Sequence, residues 1–144
     1  MQEDILSRVD LFSSLEKKDL QVLAHSCQER SYPAGSTLIK QGDTGVGLYV
    51  ITKGKVQVQM AHDPDKAEQD LGTYGPGAVL GEMALLDDLP RSATVTAIED
   101  VTALLLPVWE FRSTVRNNPD IALKLLSVLS RRLRKAESQA GKHD

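Results

Sequence analysis

The sequence predicts an α+β domain, mainly β, in which short antiparallel strands form a sandwich or barrel of jelly-roll type between helices at the two chain ends. Three observations predict it. Apolar residues recur at helical spacing before residue 30 and again after Pro107. Eight of the ten glycines precede residue 80, so turns are dense there. The stretch between the helical ends falls into short alternating or continuous apolar runs. At 144 residues the chain is expected to be one domain, with 1–30 as N-terminal helices, 31–107 as the jelly roll and 108–140 as C-terminal helices.

Each element has its own warrant. Ile5, Leu6, Val9 and Phe12 follow helical spacing, and Ser13 with Glu16 forms a capping-box pattern that opens a second helix through Leu20, Leu23 and Ala24. From Tyr32 onward Pro33, Gly35, Gly42, Gly45, Gly47 and Gly54 cut the chain into pieces of strand length. Leu48 to Ile51 is an apolar strand, Val56, Val58 and Met60 alternate, and Lys53-Gly54 between them predicts an antiparallel hairpin. His62 to Asp70 is polar, contains Pro64 and is expected to loop to a strand around Leu71 to Tyr74. Ala93, Val95 and Ala97 alternate with Thr94 and Thr96, and a further strand, Thr102 to Leu106, is stopped by Pro107. Beyond it the period returns to 3.6. A short helix spans Val108 to Val115, and Asn118-Pro119 predicts a cap and first-turn proline for a long helix running to about Gln139.

Composition excludes several function classes. Aromatics make up only 4% of the chain, too few for stacking platforms on nucleic-acid bases. The net charge of −3 gives no basic field for non-specific nucleic-acid binding. A basic excess does lie in the last helix, at Arg131, Arg132, Arg134 and Lys135, and is expected to be a solvated face. His25, His62 and His143 stand far apart in sequence and none has a metal-ligand partner at helical or strand spacing, so no metal is expected. No nucleophile motif is present, so no catalysis is expected. Cys27 is the single cysteine and excludes an internal disulfide. The acidic start, Met1-Gln2-Glu3-Asp4, lacks the basic-then-apolar order of a secretory signal, and the cytoplasm is the expected location. The most apolar runs, 101–108 and 121–129, are well short of the ~20 residues that span a bilayer.

The chemistry is concentrated between the two strand groups, in Leu80-Gly81-Glu82-Met83-Ala84-Leu85-Leu86 and Pro90-Arg91-Ser92-Ala93-Thr94-Val95. Glu82 to Leu86 favours a helical turn, but Gly81 before it and Asp87-Asp88 after it limit that turn to one or so. Gly81 lets a ligand approach the main chain, and the first amides of such a turn have no intrahelical acceptors and form an anion site. The planar guanidinium of Arg91 suits a phosphate. On residue chemistry alone, a structural ion pair between Glu82 and Arg91 accounts for the same residues.

These segments resemble the phosphate-binding cassette of the cyclic nucleotide-binding domain family, the sensor domain of catabolite-activator proteins and of protein kinase A regulatory subunits. The Glu82-to-Arg91 spacing matches many members, and Gly42-Asp43-Thr44-Gly45, Leu48-Tyr49-Val50-Ile51 and Gly54-Lys55-Val56 are similar to the family's glycine-marked hairpin. The resemblance covers about residues 5–135. It implies an eight-stranded jelly-roll barrel with a cassette at about 80–94. It also implies that the Gly81 region with Met83, Ala84 and Ala93 presents main-chain amides, that Glu82 accepts from a ribose 2′-hydroxyl, and that Arg91 clamps a cyclic phosphate. Leu80 stands where many members have Phe. Ser92 stands where cGMP binders often have Thr and cAMP binders often have Ala, and serine occurs in cAMP-binding bacterial members, so cAMP is the expected ligand and cGMP the alternative.

The final helix carries two apolar stripes. Ile121, Leu125 and Val128 form one, expected to dock on the helix with Trp109 and Phe111. Ala122, Leu126, Leu129, Leu133 and Ala136 form a second, narrower seam, suited to a dimer contact or to a lid in which Leu129 or Leu133 covers the purine. The expected partners are a cyclic nucleotide and an effector protein in trans or a second copy, with no nucleic acid or membrane. Transcription regulators of the family append a winged helix-turn-helix, and none is expected within these 144 residues. A ligand-free interaction module on the same fold is the alternative.

Overall fold

The structure is a computed structural model and describes residues 2–61, 69–87 and 89–141. Short helices open the chain: α1 (Gln2–Leu6), one 3-10 turn at Asp10–Phe12, and α2 (Lys17–Ala24). The capping box lies three residues later than Ser13/Glu16. Ser13 and Leu15 donate their amides to Asp10 and Phe12 and so close the 3-10 turn, which leaves Glu16 as the first residue free to cap. Its amide donates to Asp19 Oδ2 at 3.0 Å. Burial opposes ionisation of Asp19, yet Lys124 Nζ at 2.6 Å and the Glu16 amide hold its carboxyl below the usual range.

Eight strands follow: β1 (Gln28–Tyr32), β2 (Thr37–Ile39), β3 (Gly47–Lys53), β4 (Val56–Met60), β5 (Gln69–Tyr74), β6 (Val79–Leu80), β7 (Thr94–Ala97) and β8 (Val101–Pro107). They form two antiparallel sheets, β1-β8-β3-β6 and β2-β7-β4-β5. The eight-stranded antiparallel jelly roll with helices at both ends is as expected; among the described residues no ladder joins the sheets, so it takes the form of an open two-sheet sandwich. The loop expected at His62 to Asp70 lies outside the described residues up to 68, and β5 begins at Gln69. The strand region starts at Gln28, inside the stretch assigned from sequence to the N-terminal helices.

The hairpin expected at Lys53-Gly54 does not form. β3 pairs with β8 and β6, whereas β4 pairs with β5 and β7, so the turn carries the chain from one sheet to the other. The reason is burial. Leu48 and Val50 on one face of β3 pack with the helices, while Tyr49 and Ile51 on the other pack between the sheets. A strand buried on both faces belongs to a central layer, and the one-sided alternation of β4 belongs to an outer one. Gly54 makes the corner at φ +88°, and a Cβ there would lie 2.2 Å from the Asp100 carbonyl oxygen of the opposing turn.

The chain closes with α3 (Val108–Asn117) and α4 (Pro119–Gly141), with the Asn118 side chain donating to the Thr114 carbonyl between them. Ile121, Leu125 and Val128 are buried as expected, and Ile121 and Leu125 join Phe12, Leu11 and Phe111 in the helix-side core. Trp109, expected in that contact, is 56% exposed. Leu126 and Leu133 of the second stripe are exposed, and Leu129 packs at the margin of the core. No helix among the described residues is long and apolar enough to cross a membrane.

Candidate functional site

The segment after β6 begins with Gly81 in the left-handed region, at φ +79°, and continues as one 3-10 turn, Glu82–Leu85, anchored by the buried Leu85. The amide of Ala84, assigned to ligand by the resemblance, closes on the Gly81 carbonyl at 3.1 Å in this structure. Six residues beyond the turn, Arg91 is gripped through its backbone by the Gly42-Asp43 loop: its amide donates to the Asp43 carbonyl and its carbonyl accepts from the Gly42 amide, both at 2.9 Å. The Pro90-Arg91 junction and the Gly42 motif, remote in sequence, are thus one structural unit.

The Arg91 side chain runs inward and is 8% exposed. Two glycines make its channel. A Cβ on Gly45 would lie 1.7 Å from Arg91 Nε, and one on Gly81 would lie 1.9 Å from Nη1. Nη2 donates to the Gly47 carbonyl, and Nε is buried with no partner. Burial lowers the Arg91 pKa, while Tyr49 and Asp87 oppose that shift. A guanidinium nevertheless stays protonated at neutral pH, so this is a buried cation whose donors are only partly satisfied.

Arg91 opens onto a cavity of about 180 Å³ whose polar residues are Arg91, Ser92 and Gly81, with Ala93, Ile39, Val58, Val79, Leu80 and Val95 completing the lining. A smaller cavity of about 130 Å³, bounded by Asp43, Thr44, Gly45 and Tyr49, also touches Arg91. Larger clefts occur elsewhere, one of about 460 Å³ between Gln2 and His25, but it lacks a buried cation. The cavity beside Arg91 therefore fits a small anion joined to an apolar body.

Glu82 is directed elsewhere. Its Oε1 accepts from Arg132 Nη2 at 2.9 Å and its Oε2 from the Leu11 amide at 3.4 Å, and it does not line the cavity. Arg132 also donates to Asp10 Oδ2, from Nη2 at 2.6 Å and from Nε at 3.2 Å, and its Nη1 lies 3.4 Å from the sulfur of Met83. Among the described residues Glu82 and Arg91 form no ion pair, so the purely structural reading of that pair does not hold in this structure. Ser92 is exposed and lines the cavity, Met83 is exposed and lies outside the lining, and neither Leu129 nor Leu133 lines the cavity.

Three participants escaped the sequence reading: Gly45, the Gly47 carbonyl and Arg132. Gly45 belongs to a motif that was read as turn punctuation and as part of the family's glycine-marked hairpin, with no role assigned to it at the site. Arg132 carries a usable signal, because it lies on the line of Ile121, Leu125 and Val128, where a cation is out of place unless it has an acid to meet. Cys27 donates to the Leu23 carbonyl, and burial pushes its thiol up to about 12, which suits a packing residue. No group of three or more His, Cys, Asp or Glu among the described residues is placed to hold a metal ion.

Comparison with known proteins adds the following. The profile of the cyclic nucleotide-binding domain matches residues 29–118. The chain is 37% identical over 127 residues to the cyclic AMP receptor protein of Thermus thermophilus, covering 88% of this chain and 58% of that protein. It is 38% identical over 104 residues to the type II regulatory subunit of the cAMP-dependent protein kinase of Drosophila melanogaster, covering 72% of this chain and 27% of that one. Among solved structures, the N-terminal domain of a transcriptional regulator from Streptomyces coelicolor A3(2) superposes with a TM-score of 0.84 at 36% identity, over 95% of each chain.

Proposed function

Because the chain belongs to the cyclic nucleotide-binding domain family, we propose that it is a regulatory, non-catalytic sensor module that binds a cyclic nucleotide, cAMP in preference to cGMP, beside Arg91. The observation that carries the proposal is Arg91 itself, a buried cation with an orphaned donor beside an apolar cavity. A cyclic phosphate supplies the missing acceptors and charge, and a purine matches the walls formed by Ile39, Val58, Leu80 and Val95. Glu82 would accept from the ribose 2′-hydroxyl, Ser92 and Ala93 would line the phosphate side, and Gly81, Met83 and Ala84 would form the turn around it. The names of two relatives refer to cAMP, which supports that choice of base.

The output is proposed to pass through α4. For Leu129 or Leu133 to cover the purine, α4 must swing from its present seat, where Leu133 is 61% exposed. The exposed Leu126 and Leu133 offer a contact to a second copy or an effector protein. Two of the basic residues around it have partners within the domain: Arg131 donates to Ser14 and Arg132 is held by two carboxylates.

Calorimetry should give a cAMP dissociation constant on the order of micromolar or tighter, ~−8 kcal/mol. Absence of heat and of competition up to millimolar cAMP and cGMP would sink the proposal in favour of a ligand-free interaction module. A tenfold preference for cGMP would overturn only the inference from Ser92. Gly45→Ala should weaken cAMP binding by about 1–3 kcal/mol with the circular dichroism unchanged, since the new methyl group occupies the place of the Arg91 guanidinium. Wild-type affinity in that variant would show that the channel does not set the arginine's pose.

A further inference from the structure

We propose that Gln41 is a positioning residue for the anion end of the site: its side-chain amide takes the place of the Ser92 peptide as the partner of β4, and so keeps the Arg91-Ser92-Ala93 backbone out of the sheet. The inference rests on the reading of that segment as the seat of the cyclic phosphate. Gln41 lies two residues beyond β2, and its Nε2 donates to the Ala61 carbonyl at 2.6 Å while its Oε1 accepts from the Ala61 amide at 2.9 Å. One side chain thus meets both main-chain polar groups of one residue, as a neighbouring strand would. The backbone amide of Gln41 donates to Thr94 Oγ1 at 3.0 Å, on the first residue of β7.

The register identifies what the side chain replaces. β4 and β7 pair Gln57 with Thr96 and Gln59 with Thr94, so two residues further on Ala61 would face Ser92. β7 begins only at Thr94, and it lies between β2 and β4 in the sheet. Gln41 therefore reaches from the β2 side into the row ahead of Thr94 and satisfies Ala61 there. Among the described residues neither the Ser92 nor the Ala93 amide makes a hydrogen bond. Continued ladder pairing would commit the Ser92 amide to the Ala61 carbonyl and draw it away from the cavity that Ser92 and Ala93 line. Gln41 also directly precedes Gly42 and Asp43, which hold the Arg91 backbone, so its anchor on β4 steadies that grip too.

The test pairs cAMP calorimetry with amide hydrogen exchange, read by NMR in the ligand-free domain, and uses thermal melts as the folding control. Gln41→Met keeps the length of the side chain and loses both bonds to Ala61. Gln41→Asn keeps the amide but is one methylene too short to make both, and it carries the test if the first variant does not fold. Each should weaken cAMP by about five- to ten-fold. In each the Ser92 amide should exchange more slowly than in wild type, as it takes up the partner that Gln41 has released. Unchanged affinity overturns the proposal even if the melting temperature falls, because Gln41 then serves stability alone. A loss of affinity with Ser92 exchanging as fast as in wild type overturns it as well. Failure of the wild type to bind cAMP overturns the functional reading instead, and the exchange of Ser92 in the variants still decides whether Gln41 keeps that segment off β4.

Discussion

Arg91→Lys is expected to weaken cAMP by about 2–4 kcal/mol while the domain stays folded. The native guanidinium already commits Nη2 to the Gly47 carbonyl and threads between Gly45 and Gly81, leaving its remaining donors for an incoming anion. A lysine ammonium is a single point charge on a shorter reach. It cannot keep the Gly47 contact and present two parallel donors to a phosphate. Calorimetry gives the affinity and a thermal melt gives the apo stability. A several-degree fall in melting temperature with affinity unchanged would show that Arg91 serves packing alone.

The largest effect on stability is expected from Phe12→Ala, about 3–5 kcal/mol by denaturant unfolding. Phe12 is 1% exposed and stacks on Phe111 with ring centroids 6.3 Å apart. Leu6, Leu11, Leu23, Leu106, Ile121 and Leu125 belong to the same core. The N-terminal helices, the central sheet, α3 and α4 all contribute to that core, so the void left by truncation has walls from several elements and cannot collapse onto a single mobile segment. A loss below about 1 kcal/mol would mean that the helical layer repacks freely around the site.

The parts of this molecule that were legible in its sequence are those in which a local rule agrees with the tertiary environment. Val56, Val58 and Met60 alternate because β4 lies in an outer sheet, and Ile121, Leu125 and Val128 recur because α4 buries one face. Strands β1, β2 and β6 were not marked individually. β1 is the polar edge sequence Gln28-Glu29-Arg30-Ser31-Tyr32, and β2 and β6 have three and two residues, so none develops a period. The same limit explains the missed corner at Lys53-Gly54. Turn chemistry records that the chain reverses but not which sheet receives it.

For the site, the residue types of the Gly81 to Ala93 segment announced an anion, and the position of Arg91 agrees with that chemistry. The carboxylate's direction was not legible, because it depends on Leu11 and Arg132, which meet Glu82 only after both ends of the chain have docked.

The two-sheet arrangement also bears on how the chain reaches its native state. β4 and β5 are the only described strands adjacent in sequence that pair with each other; Gln28 of β1 meets Leu105 of β8, and Thr37 of β2 meets Thr96 of β7. Nearly every ladder therefore closes a long loop before any contact offsets the lost chain entropy. Such high contact order belongs to domains that fold in milliseconds to seconds and not in microseconds. During that interval the apolar β3 and β8 wait for their covering layers and are the stretch most exposed to misassociation, whereas the cavity beside Arg91, walled by Val79 and Leu80 of their sheet and by Ile39, Val58 and Val95 of the other, is complete only once the two sheets have met.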